Sequence, residues 1–295
     1  MRFLWTLVAL ALASLHSGLC CLIILPIATA QELPVQSSTE QRLVELAQSV
    51  PGTIGYHVAL VNGEVLYSHL GDEAFPQASA IKIPLLMEVL AQREERQLDW
   101  NALHPILAKH QVGGSGILSE FTDGGSQLNT ADLCTLMIVL SDNTATNMLI
   151  DLVGMESVNR RMDSLGLRKT RLNRLMMDTA ASARGEENVA TPQEACRVMR
   201  LLAQGKFIDP EISNELLAML RKPKSTAIRK AIAAEIPVAS KPGAIPGVAT
   251  EWAVVELPGQ PYVMIFMGKE GSENEFNQVF TEMAKCIHNR LIEKE

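Results

Sequence analysis

Aromatic residues are scarce in this 295-residue chain: three Trp, three Tyr and seven Phe make up 4% of it. Platforms on which bases or sugars stack are therefore expected to be sparse. Excess positive charge is missing too. Against 33 Asp and Glu stand 26 Lys and Arg, and the net charge of −7 argues against a nucleic-acid-binding surface. No C-x-x-C, H-E-x-x-H or paired-His spacing occurs, so no metal site and no cofactor is expected. Internal repeats and low-complexity linkers are absent, and with 47% of residues hydrophobic the chain has ample apolar surface to bury, which excludes disorder as its main state.

Cysteine is sparse as well. Of five, Cys20 and Cys21 lie in the N-terminal segment, leaving Cys134, Cys196 and Cys286. An odd number allows at most one internal disulfide, and a chain of this length can build its core without one. The three are expected to behave as buried hydrophobes.

Residues 1–30 form a separate object. Arg2 is their only charge, Phe3 to Leu15 and Leu19 to Thr29 are nearly all apolar or small, and Ala28-Thr29-Ala30 is an A-x-A cleavage box. The segment reads as a secretory signal peptide cleaved near Ala30, giving a periplasmic or secreted protein. Its apolar stretch is long enough that an uncleaved anchor, and through Cys20 and Cys21 a lipoprotein, stay open.

Ser38-Thr39-Glu40 opens an amphipathic helix, and Pro51-Gly52 closes it. Thr53 to Val61 and Glu64 to Leu70 then read as a hairpin about Asn62-Gly63. From about Ile81 to Arg221 the pattern is almost wholly helical, with caps at Thr130 and at Thr191-Pro192-Gln193-Glu194. Strand character returns at Glu251 to Leu257 and Tyr262 to Gly268, before a last helix from about Glu275 to Glu293. Strands at both ends and helices between them predict an α+β fold, one antiparallel sheet flanked by terminal helices with an all-helical lobe inserted. The α/β lobe is expected over residues 31–78 and 225–295, the helical lobe over 79–224, and a ligand site in the cleft between them.

Three triplets carry chemistry. Ser79-Ala80-Ile81-Lys82 is the only S-x-x-K in the chain and opens an apolar run, so Ser79 is expected at a helix N-terminus with the Lys82 amine one turn on. A serine hydroxyl needs a base, and a lysine amine can serve. Ser141-Asp142-Asn143 falls between two helix patterns, its hydroxyl able to relay a proton and its carboxamide able to hold an amide. Lys241-Pro242-Gly243 follows apolar Ile236 to Ala239, as the end of a strand would. Taken singly, each triplet reads equally as a cap or a turn.

In this order they follow the S-x-x-K, S-D-N and K-T-G signature, with Pro242 in the place of the Thr, and the chain resembles the class A β-lactamase family. The resemblance extends to Phe75-Pro76, to Thr144-Ala145-Thr146-Asn147, to Thr170-Arg171-Leu172-Asn173-Arg174 and to Gly247. It implies a serine hydrolase opening β-lactams through a Ser79 acyl-enzyme, with Lys82 as base partner and Ser141 as proton relay. Asn143 and Lys241 would bind substrate, and the N–H groups of Ser79 and Ala244, beside Gly243, would form the oxyanion hole. A small-molecule substrate and a monomer are implied, with no nucleic acid or metal. A non-β-lactam esterase of the same fold, or a penicillin-binding protein acylated without turnover, are the alternatives.

Two departures stand out. Met176 occupies the place of the family's deacylating Glu, so turnover is expected to be slow unless Asp178, Glu186 or Glu187 substitutes. Pro242 replaces the usual Thr or Ser, removing a hydroxyl from the carboxylate site. Of the disulfide some members carry, Cys134 falls near one half and Leu86 near the other.

Overall fold

Leu43, Leu46 and Ala47 give helix α1 (Ser38–Ala47) one apolar face, and that face is buried against the C-terminal helix α10 (Glu273–Ile292). The structure, a computed structural model, describes residues 38–293. The expected signal segment and its cleavage site lie outside the described residues. Within them, no helix is long and apolar enough to cross a membrane.

Between α1 and the middle of the chain come the hairpin β1 (Thr53–Leu60) and β2 (Val65–His69), then β3 (Phe75–Pro76) and a 3-10 turn, Ala78–Ile81. The long middle holds α2 (Lys82–Glu94), β4 (Leu103–Pro105), β5 (Gln127–Asn129), α3 (Thr130–Val139), α4 (Asn143–Val153) and α5 (Met155–Ser164). It continues with α6 (Thr179–Ala183), β6 (Val189–Ala190), α7 (Pro192–Ala203), α8 (Pro210–Arg221) and α9 (Ala227–Ala231). Strands β7 (Val238–Ile245), β8 (Val248–Val255) and β9 (Tyr262–Lys269) then lead into α10.

The sheet is antiparallel, five-stranded, and ordered β2-β1-β9-β8-β7, so strands from both ends of the chain join side by side at the β1–β9 pair. The fold is α+β. Alternation along the strands splits the core in two. Tyr262, Met264 and Phe266 of β9 face the core shared with α1, α9 and α10, whereas Val263, Ile265 and Met267 face the core shared with α2, α3, α4, α7 and α8. Helix α2 is buried nearly all round, from Lys82 to Gln92, as a central helix must be. Its one buried acid, Glu88, is held by Arg161 Nε (2.8 Å) and Gln92 Nε2 (2.8 Å).

Several expectations change. The stretch from Ile81 to Arg221 is not wholly helical: β4 pairs β5, β3 pairs β6, and a Gly-rich loop runs between β4 and β5. Thr130 does not cap α3. Asn129 holds the extended backbone and accepts from Asp132 N–H (2.7 Å), while the Thr130 hydroxyl turns to the Asp99 carbonyl (2.9 Å). Thr191 does cap α7, accepting from Glu194 N–H (3.1 Å). Lys241-Pro242-Gly243 is mid-strand in β7, not at its end. Proline is tolerated there because β7 is an edge strand. Cys134 and Cys196 are buried and Cys286 is half-buried, all three as free thiols that burial pushes up in pKa.

Phe276 of α10 rests directly on the sheet because Gly268 of β9 leaves room: a methyl group there would lie 2.8 Å from the Phe276 ring. Gly268→Ala is expected to destabilise the protein by about 1–3 kcal/mol through overpacking, read as a lower melting temperature. An unchanged melting temperature would show that α10 shifts freely.

Candidate active site

The turn that carries Ser79 is set by its neighbours rather than by a helix. Ala78 takes φ +44°, and the Ala80 N–H closes the 3-10 turn on the Gln77 carbonyl (2.9 Å). Ser79 therefore precedes α2 instead of starting it, and Lys82 is the helix's first residue. The spacing argument expected Ser79 at a helix N-terminus, and the 3-10 turn Ala78–Ile81 leads it directly into α2.

Lys82 is fully buried. Its Nζ donates to the Ser141 carbonyl (2.6 Å), Ser141 Oγ (3.1 Å) and Asn143 Oδ1 (3.0 Å). Lys241, 1% exposed, reaches the same hydroxyl from the other side: Nζ to Ser141 Oγ is 3.0 Å and to the Pro242 carbonyl 3.0 Å. One hydroxyl thus lies between two amines. Among the described residues the Ser79 hydroxyl makes no hydrogen bond, and Lys82 turns to Ser141 and Asn143. Such contacts often tighten only with substrate bound.

Burial, followed by the Lys241 charge, drives the Lys82 pKa well below the ordinary lysine range, against the pull of Asp142. Burial, with help from Lys224, pushes Lys241 down to about 7, while Glu251 opposes. Glu251 lies wholly inside β8, opposite Pro242, and its own pKa is raised by burial. One of its oxygens accepts from Ile228 N–H at 3.0 Å; the other has no partner among the described residues.

Ser141 adopts φ +56° between α3 and α4. Asp142, 1% exposed, caps α4 through Ala145 N–H (2.8 Å) and also accepts from Ile117 N–H (2.7 Å) and Leu118 N–H (3.0 Å). Asn143 Nδ2 donates to the Gly113 carbonyl (3.0 Å). The middle residue of the triplet thereby fastens the Gly-rich loop over the site, a role its helix-cap pattern only half disclosed.

Across the gap, β7 approaches the Ser79 turn so closely that only glycine fits. A methyl group on Gly243 would lie 2.7 Å from Ser79 N and 2.6 Å from the Gln77 carbonyl oxygen. Ser79, Ser141, Lys241, Gly243 and Ala244 line one cavity of about 950 Å³, which extends along α9 and the start of α10 past Thr226, Lys230 and Asn277.

Asp178 is not part of that cavity's wall. Its carboxylate caps α6, accepting from Ala181 N–H at 2.9 Å. The other two acids of the segment are engaged as well, Glu186 with Arg184 (2.8 Å) and Glu187 with Arg174 (2.9 Å). Met176 is packed into the helical core, its backbone clasped by Asn147, which donates to the Met176 carbonyl (3.2 Å) and accepts from its N–H (2.8 Å). No group of three or more His, Cys, Asp or Glu among the described residues could hold a metal ion.

The sequence matches the model of the Beta-lactamase enzyme family over residues 38–291. It is 29% identical to β-lactamase ROB-1 of Haemophilus influenzae, over 90% of this chain and 85% of that one. Among solved structures, a β-lactamase from Sphaerobacter thermophilus superposes with a TM-score of 0.78 at 29% identity, covering 86% of this chain and 97% of that. An ancestral class A β-lactamase does so with a TM-score of 0.78 at 25% identity, covering 85% and 99%. With the family matched across almost every described residue, the chain belongs to the class A β-lactamase family and is a β-lactam hydrolase.

Proposed function

We propose that the protein opens β-lactam rings through a Ser79 acyl-enzyme that is released slowly. The observation that carries this is the hydroxyl of Ser141 held between the amines of Lys82 and Lys241 at the wall of the cavity that Ser79 lines. Ser79 Oγ attacks the β-lactam carbonyl carbon and its proton passes to Lys82, whose burial lowers its pKa and so favours the neutral amine a base requires. The tetrahedral oxyanion is received by the N–H groups of Ser79 and Ala244, a donor of this kind being worth about 3 kcal/mol. As the C–N bond breaks, the Lys82 proton returns to the leaving nitrogen through Ser141 Oγ. Lys241 supplies positive charge for the substrate carboxylate, and Asn143 a carboxamide for its side-chain amide.

Hydrolysis of the acyl-enzyme needs a second base for water. The expected substitute, Asp178, is engaged at the cap of α6, and Met176 has no proton-accepting group. General-base assistance is typically worth about 10²–10⁴-fold, and that is the deficit expected in deacylation. The exported location read from residues 1–30 completes this proposal, since a periplasmic or secreted protein would meet β-lactams directly.

Mixing the protein with a chromogenic cephalosporin should give a burst of one equivalent followed by slow turnover, with the adduct visible by intact mass. Ser79→Ala should fold and show neither. Fast steady-state hydrolysis without a burst would overturn slow release, and an adduct on Ser79→Ala would overturn the nucleophile.

The two lysines also fix a pH dependence. Acylation should rise with pH as Lys82 loses its proton and, for carboxylate-bearing substrates, fall again above about pH 7 as Lys241 loses its own. The two limbs belong to the coupled pair. In Lys241→Arg, whose guanidinium stays charged, the alkaline fall should disappear. A fall of unchanged midpoint would show that Lys241 is not its source.

A further inference from the structure

We propose that Gln77 is a positioning residue for acylation, its amide locking the Ser79 turn onto β8 through Trp252. The inference rests on the reading of Ser79 as nucleophile. Gln77 is fully buried, and each of its polar groups is used. Oε1 accepts from Trp252 Nε1–H at 2.9 Å, and Nε2 donates to the Phe75 carbonyl at 2.8 Å. The backbone N–H goes to the Asn188 carbonyl (2.8 Å), and the backbone carbonyl accepts from both Thr250 Oγ1 (3.0 Å) and Ala80 N–H (2.9 Å). One side chain and its peptide groups thus join β3, the segment before β6, the nucleophile turn and β8.

The arrangement matters because of what adjoins it. Ala78, the single residue between Gln77 and Ser79, holds a left-handed φ of +44° that a side-chain-bearing residue keeps only when its surroundings over-determine it. The bonds of Gln77 do so from one side. From the other, Gly243 of β7 lies against Gln77 O and Ser79 N with no room to spare. Strand β8 links the two sides. Thr250 is paired in register with Gly243, and Trp252 with Lys241, so the residues that grip Gln77 also neighbour the edge carrying Lys241 and Ala244. The Ser79 N–H and the β7 edge are therefore referenced to one strand. Releasing Gln77 lets Ala78 relax and moves that N–H relative to Ala244, and a misplacement of about 1 Å can cost about 10²-fold in rate.

A buried Gln–Trp pair could also be core packing alone, and paired substitution separates the two roles. Replacing both partners by apolar groups of similar shape is close to neutral for stability, whereas removing one leaves a buried group unsatisfied. The test compares the parent with Gln77→Met/Trp252→Phe and with Trp252→Phe alone. Each is melted, then followed for Ser79 adduct formation by rapid-quench intact mass with benzylpenicillin and for affinity toward a phenylboronic acid. The double variant should stay folded, melting lower because the Phe75 carbonyl loses its donor and the core loses volume, and should acylate about 10–100-fold more slowly, at unchanged saturation constant, and bind the boronic acid correspondingly more weakly. Parental acylation rate and boronic acid affinity in the folded double variant would overturn the proposal and leave Gln77 a packing residue. Should the double variant not fold, the same parental values in Trp252→Phe overturn it and slowed values there support it. The boronic acid needs only a reactive Ser79 hydroxyl, so it measures the inference even where benzylpenicillin leaves the parent unmodified. That last result would count against the β-lactam reading and not against Gln77.

Discussion

Two buried lysine amines within hydrogen-bond reach of a single half-buried hydroxyl is the constraint from which the site follows. Two ammonium groups so placed repel each other, and neither has water to spread its charge into. The structure resolves this by dividing labour. Burial and the Lys241 charge drive Lys82 well below the lysine range against the pull of Asp142, while Lys241, itself lowered to about 7, is steadied by Glu251 across the sheet. The acid that steadies Lys241 is thus placed on the far side of the strand that presents it, where a substrate cannot reach it.

Holding that arrangement takes three parts of the chain distant in sequence. The turn before α2 supplies Ser79 and Lys82, the α3–α4 junction supplies Ser141 and Asn143, and β7 supplies Lys241. Two of these are anchored by a buried polar residue that does no chemistry itself, Gln77 for the turn and Asp142 for the junction. Asp142 shows the economy, since one carboxylate caps a helix and fastens the overlying loop with three N–H bonds. Loss of any anchor leaves buried partners unsatisfied, which costs about 1–3 kcal/mol for each group.

Much of this was legible in the sequence. The hairpin at Asn62-Gly63, the α7 cap at Thr191 and the closing strands follow from local chemistry, and strands at the two ends of the chain left a single economical sheet. The structure places Ser79, Ser141 and Lys241 on one cavity, as three triplets in order had suggested. What escaped was non-local. A helical pattern from Ile81 to Arg221 hid β4 and β5, because two three-residue strands carry no period of their own. Thr130 looked like a cap because its hydroxyl suits the role, but Asn129 had the extended backbone. Asp178 looked available as a base until its bond to Ala181 was seen. Gln77 and Trp252 gave no signal at all, being 175 residues apart and joined only by the fold.

Pro242 has a consequence beyond catalysis. Strand β7 borders the cavity, so it cannot be covered by a neighbouring strand or helix without closing the cleft, and an uncovered edge invites pairing with another chain. The β7–β8 ladder runs without a register break from Val238 to Ile245, so the ring of Pro242 interrupts nothing on the inner side. The missing N–H falls on the outward rim, where it takes away a donor that an intruding strand would use. The residue that replaces the family's usual Thr or Ser thereby leaves the open edge a poorer template for another strand.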